Sequence, residues 1–191
     1  MAVQTKSLKA KGNNLADAQY QVALLNSDKT PDFKEYLKRV GELPLKPSSL
    51  EIMQINVGKM CNQVCEHCHV DAGPDRKEIM TKETMEACLR ALDMCPTFTT
   101  VDLTGGAPEM NPNFKWLVTE LTKRNKEVIV RSNLTILVAN KRFRNYPQFF
   151  AENKVHVIAS LPCYTAENTD KQRGTGVFAK SLEAIAILNK L

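Results

Sequence analysis

No stretch of the 191-residue chain approaches the about 18 consecutive apolar residues of a membrane span, so no membrane association is expected. Met1 to Leu15 carries Lys6, Lys9 and Lys11 and no acid, yet it has neither the apolar segment of a secretory signal nor the arginines of a transit peptide. It reads as a flexible basic leader on a cytoplasmic protein. Without an export signal, the six cysteines are expected as thiols, metal ligands or core residues, not as a disulfide framework. A strong excess of one charge is missing too: 26 Lys+Arg against 21 Asp+Glu leave +5. That excess is spread out. Lys123-Arg124-Asn125-Lys126 and Lys141-Arg142-Phe143-Arg144 read as solvated helix ends or loops, and no nucleic-acid partner is expected. With 43% hydrophobic and 25% charged residues, the composition excludes a disordered or fibrous chain and suits one globular domain.

What is present is an alternation. Glu51–Val57, Thr99–Leu103, Glu127–Arg131 and Val155–Leu161 are short apolar or β-branched runs, expected as strands. Between them lie helical stripes: Met85, Cys88, Leu89 and Leu92, then Phe114, Leu117, Val118 and Leu121, with Asn111 expected as N-cap and Pro112 in the first turn. Pro147, Phe149 and Phe150 suggest a shorter helix, and Phe178, Ser181, Leu182, Ile185 and Leu188 a last one. Strand–helix alternation predicts an α/β fold with parallel strands, either an open doubly wound sheet or part of a (β/α) barrel. The last three strands start about 28 residues apart, which fits compact βα units in one sheet. Residues 1–45 stay outside the pattern as a partly flexible extension, with linker sequences at Gly12-Asn13-Asn14 and Ser27 to Pro31 and a short helix from Pro31 to Val40. Residues 46–191 form the core. Chemistry belongs in the loops after the strands, at 58–80, 104–111, 132–140 and 162–176.

The first of those loops reads Cys61-Asn62-Gln63-Val64-Cys65-Glu66-His67-Cys68-His69. Three thiolates on one loop can hold three corners of a cubane iron–sulfur cluster and leave the fourth iron open to a small molecule. Three other readings compete. Cys65 to His69 also spells the C-x-x-C-H of haem attachment, but without an export signal and with an extra cysteine. A structural zinc site would recruit His67 or His69 as fourth ligand. A thioredoxin-like pair would need no third cysteine.

The spacing C-x-x-x-C-x-x-C after the first strand of a βα repeat resembles the radical S-adenosylmethionine (radical SAM) superfamily. Thr104-Gly105-Gly106-Ala107-Pro108-Glu109, after the second strand, resembles that family's glycine-rich segment, where an open backbone lets a ligand approach without a Cβ in the way. Cys65 through Pro74, Leu103 through Pro112, Asn133-Leu134-Thr135, Ser160 through Tyr164 and Gln172-Arg173-Gly174 further resemble the arsenosugar biosynthesis radical SAM proteins, over roughly residues 45 to 191.

The resemblance implies a partial (β/α) barrel of the radical SAM type, with about four βα units present here, fewer than the family's core has. On this reading the chain is a truncated member whose fourth strand is a long, apolar open edge. The resemblance also implies a [4Fe–4S] cluster on Cys61, Cys65 and Cys68. S-adenosylmethionine would sit against Gly105, Gly106, Pro108 and Glu109, with His67 near the adenine. Ser132, Asn133 and Arg173 are candidates for its carboxylate or ribose. Cys163, on the loop after the fourth strand, is the candidate catalytic thiol toward a soft arsenical; Cys88, Cys95 and His156 are expected in the core. The implied reaction cleaves S-adenosylmethionine reductively to a 5′-deoxyadenosyl radical and joins the adenosyl group to a trivalent methylated arsenical. An electron donor such as flavodoxin or ferredoxin is implied as partner. A non-catalytic iron–sulfur or zinc module, and a radical SAM enzyme with another substrate, are the alternatives.

Overall fold

The computed structural model describes residues 6–26 and 31–191. Part of the linker expected from Ser27 to Pro31 therefore lies outside the described residues. Four strands, β1 (Ile52–Asn56), β2 (Thr100–Thr104), β3 (Glu127–Ser132) and β4 (His156–Ala159), form one all-parallel sheet in the order β1-β2-β3-β4. Each neighbouring pair is joined through helix, as parallel pairing requires. The sheet curves as part of a barrel and does not close.

Its two faces differ. Ile55, Val57, Val101, Leu103, Val128 and Val130 point to one side and are buried. They pack on α3 (Lys82–Met94), α4 (Phe114–Lys123), α6 (Tyr146–Glu152) and α8 (Val177–Leu188) through Met85, Leu89, Leu92, Phe114, Leu117, Leu121, Phe150 and Ala184. The other face carries the sheet's polar side chains beside Ile52, Ile129 and Ile158. Gln54 is the register partner of Asp102, and Arg131 lies two residues beyond Asp102's partner Ile129 on β3. The Gln54 amide donates to Asp102 Oδ2 at 3.0 Å, and Arg131 donates Nε and Nη2 to the same carboxylate at 2.8–3.0 Å. A second row joins Thr100, Glu127 and His156, the last at 3.1 Å from Glu127 Oε1.

Several local expectations are corrected. Asn111 is not the N-cap of α4: that position belongs to Asn113, and Asn111 is buried. Its amide donates to the carbonyls of Val57 and Met80, tying the end of β1 to the approach to α3. The loops at 132–140 and 162–176 contain helices, α5 (Thr135–Ala139), too short to show a period, and α7 (Ala166–Arg173), too polar to carry an apolar stripe. His156 is exposed, not in the core, because it lies on the polar face. Cys88 is half-buried against the core; Cys95 ends α3 outside it, its Sγ 3.3 Å from Thr97 Oγ1. The edge strand β4 has four residues and carries a histidine, so the open edge is short and blunted instead of long and apolar.

The N-terminal extension holds α1 (Ala18–Leu25), which sequence periodicity did not indicate, and α2 (Phe33–Val40), close to the expected helix. Before them, residues 7–9 dock onto the cysteine loop. The leader is fixed there, where flexibility was expected.

Candidate active site

The loop after β1 begins as a continuation of the sheet. Gly106 N donates to Gly58 O and Ala107 N to Met60 O, both at 2.9 Å, so the chain leaving β1 stays paired with the chain leaving β2. This approach is possible because Gly105 and Gly106 have no side chains. A Cβ on Gly105, at φ +142°, would fall 2.5 Å from Gly58 O, and one on Gly106 would run into Met60 O. The glycine pair thus holds the start of the cysteine loop against the end of β2.

Beyond that point the loop is pinned from three sides. Cys61 N bonds Gly73 O at 3.2 Å, closing the loop on itself. Asn133, after β3, donates its amide to Cys61 Sγ at 3.4 Å and to Asn62 Oδ1 at 2.8 Å. Asn62 and Gln63 both donate to Thr135 Oγ1 at 2.9 Å. From the far end of the chain, Arg173 Nη2 donates to Gln63 Oε1 at 3.1 Å, and Glu66 N to Gln172 O at 3.1 Å. Strand ends β1 and β3 and helix α7 therefore converge on one nine-residue motif.

A cavity of about 230 Å³ opens there, lined by Cys61, Cys65 and Cys68, by Gly105 and Gly106, and by His67, Asn133 and Arg173. Eight of the residues expected to share a site thus line one hollow. The others stand elsewhere. Glu109 is fully buried behind the glycine pair, where Ser132 Oγ donates to its Oε1 at 2.6 Å. Pro108 and Ser132 are buried with it, and none of the three lines the cavity. Cys163 also stays off the lining; its Sγ is 3.5 Å from Thr165 Oγ1, and that hydroxyl holds the thiol below its ordinary range. Sequence reasoning passed over Gln63, Arg131 and Ser160, which join the cavity wall. Arg131 had a legible signal: with Glu127 and Ile129 it falls on the opposite pleat from buried Val128 and Val130.

The electrostatics suit a ligand that has yet to displace protons. Burial pushes the Cys61 thiol up to about 11, and the neighbouring thiols of Cys65 and Cys68 add to it; hydrogen bonds from Gln63 and Asn133 act the other way. Burial also raises Cys65, while the guanidinium of Arg173 opposes the rise. All six cysteines are free. Among the described residues, no three His, Cys, Asp or Glu side chains form a ready single-ion site. Thiols that share a pocket without converging on a point fit a cubane, because each binds a different iron. The cavity also offers an unused donor: Arg173 Nε is buried without a hydrogen-bond partner. An acceptor such as a carboxylate would satisfy it.

The family model described as the Radical SAM superfamily matches residues 55–191. The chain belongs to the radical SAM superfamily. No curated protein matches the sequence. Among solved structures, native anSMEcpe with bound AdoMet is 21% identical with a TM-score of 0.59, covering 73% of this chain and 40% of that one. SuiB of Streptococcus suis bound to S-adenosylmethionine is 15% identical with a TM-score of 0.60, covering 95% of this chain and 40% of that one. SuiB bound to the precursor peptide SuiA is 14% identical at a TM-score of 0.61. These likenesses establish the radical SAM fold, and the chain spans about two-fifths of the length of these structures. Among the described residues, no helix is long and apolar enough to cross a membrane.

Proposed function

We propose that the protein is a radical SAM enzyme that adenosylates a methylated arsenical. Cys61, Cys65 and Cys68 would hold a [4Fe–4S] cluster, with S-adenosylmethionine in the cavity that the cysteine loop and Gly105-Gly106 line together. When bound, the cluster and S-adenosylmethionine would together supply the chemistry of reductive S–C5′ bond cleavage, with Cys61, Cys65 and Cys68 holding the one and the cavity wall the other. The chain's own residues bind and orient. Asn133 and Gln63 fix Cys61 and its loop by hydrogen bonds, and the Gly105-Gly106 backbone, packed against Gly58 and Met60, forms part of the cavity wall. Arg173, buried and with Nε unused, would present a guanidinium edge to the methionyl carboxylate. His67, exposed at the rim of the cavity, would cover the adenine. A flavodoxin or ferredoxin would deliver the electron.

One observation carries this reading: the three cysteines, the glycine pair and Arg173, far apart in sequence, line a single cavity. The arsenical is supported by the subfamily resemblance of Cys65 through Pro74 and Ser160 through Tyr164, and Cys163 is its proposed soft ligand. The test is anaerobic reconstitution with iron and sulfide, reduction, and EPR with and without S-adenosylmethionine. A [4Fe–4S]⁺ signal that shifts on adding S-adenosylmethionine is expected. Absence of any cluster sinks the reading. A 5′-deoxyadenosine assay with a trivalent methylated arsenical then separates that substrate from others, since only an accepted arsenical gives an adenosylated product by mass spectrometry.

A further inference from the structure

We propose that Ser7, Leu8 and Lys9 form a strap that positions the cluster loop, so that the metal-binding unit includes a segment outside residues 55–191. Ser7 is fully buried although it lies in a basic, polar leader. Its backbone N–H and its hydroxyl both donate to the carboxylate of Asp75, at 3.0 and 2.6 Å. The next two amides, Leu8 and Lys9, donate to the two oxygens of Asp71 at 2.6 and 3.0 Å. These bonds span more than sixty residues of sequence and use the carboxylates of Asp75 and of Asp71, the latter also paired with Arg76. The contact also holds the Asp75 carboxyl below its usual range, through the Ser7 hydroxyl first and its amide second.

The strap reaches a cysteine ligand through few covalent links. Asp71 N donates to Cys68 O at 3.1 Å, and Ala72 N to Cys68 Sγ at 3.3 Å. Asp71 sits at φ +51°, a left-handed conformation uncommon outside glycine though one that Asp tolerates, and the contacts around it hold it there. These contacts are on either side: Leu8 and Lys9 from the leader, and Arg76, which donates to Asp71 O at 2.7 Å and pairs with Glu78. Gly73, whose carbonyl receives the Cys61 amide, lies directly under Ser7, and a Cβ there would stand 3.7 Å from the Ser7 Cβ. The leader thus braces the segment that fixes Cys61 at one end and Cys68 at the other.

The proposal rests on the cluster reading of the site, and the experiment separates the two. Ser7→Ala and Asp75→Ala are made in the full chain, singly and together; Asp75 is exposed, so its variant retains the fold. Hydrogen exchange is followed at the Cys61, Ala72 and Arg76 amides and at α4 as a control, and iron per chain is measured after anaerobic reconstitution. The strap predicts exchange in 61–76 faster by about tenfold in Asp75→Ala, an unchanged α4, a smaller effect of Ser7→Ala, which keeps the backbone bond to Asp75, and a double variant no worse than Asp75→Ala, which already removes both bonds. It also predicts lower iron content, as lost support of a ligand costs about tenfold or more in metal affinity. Unchanged exchange in 61–76 overturns the strap. A loosened loop that still takes up the wild-type quantity of iron overturns its role in metal binding. A wild-type chain that takes up no iron overturns the site reading, while the exchange comparison still decides whether the leader braces the loop.

Discussion

The two faces of the sheet are built from alternate residues of the same four strands, yet they do different work. On the helix-covered face, Val101, Leu103 and Val130 have no exposed surface, and each strand contributes apolar area to one core. On the other face, Gln54, Asp102, Arg131, Glu127 and His156 bond to one another in two rows. Stability is concentrated on the first face, while the second borders the cavity through Thr104 and Arg131. A parallel sheet covered on both faces would read as continuous hydrophobic runs. Here the period of two survives in β2 and β3, which marks one face as meant for polar contents.

Substitutions can break that contrast or sharpen it. The largest effect is expected on the covered face: Phe114→Ala empties a fully buried ring site beside Tyr146 and Phe150 and should cost about 3–5 kcal/mol by denaturant unfolding. Asp102→Ala, on the polar face, leaves Arg131 and Gln54 without their common acceptor; a loss of about 1–3 kcal/mol is expected, and a loss as large as that of Phe114→Ala would erase the distinction. A third effect depends on pH. Burial raises the Glu109 carboxyl from 4.5 to about 7, against the hydrogen bond from Ser132. Between those values the folded chain holds a proton that the unfolded chain has released, so stability falls as pH rises through the window. Glu109→Gln should remove that fall, and melting curves across the window, parallel for variant and wild type, would contradict it. The smallest effect is His156→Ala: the ring is exposed and its pairing with Glu127 lies at the surface, so a change within about 0.5 kcal/mol is expected by the same unfolding measurement.

The same contrast explains what was legible beforehand. Strands and the longer helices announce themselves by period, because burying one face forces apolar residues to recur; β1 to β4, α3, α4 and α8 all follow. The cysteine motif and the glycine pair were legible because each residue type has few other reasons to stand in that order. Asn111 illustrates the opposite case. Asparagine before Pro112 has the composition of a cap, and only the approach of Val57 and Met80 turns it into a buried cross-tie. Glu109 and Ser132 read as ligand contacts in the sequence, yet the turn after Gly106 carries Glu109 behind the cavity wall, where it meets Ser132 at the end of β3. The docking of Ser7 on Asp75 leaves no local trace at all, since it depends on two residues 68 positions apart.

The crossing at Gly58, Gly105 and Gly106 has a consequence for how this sequence can vary. Two backbones meet there with no room for a methyl group, so neither loop can accept a side chain without displacing the other. In a saturation library, positions 105 and 106 should tolerate as little replacement as the cysteines do, though they offer no ligating atom. The loops after β1 and β2 are therefore one heritable unit: drift in either is permitted only where it leaves this shared crossing untouched.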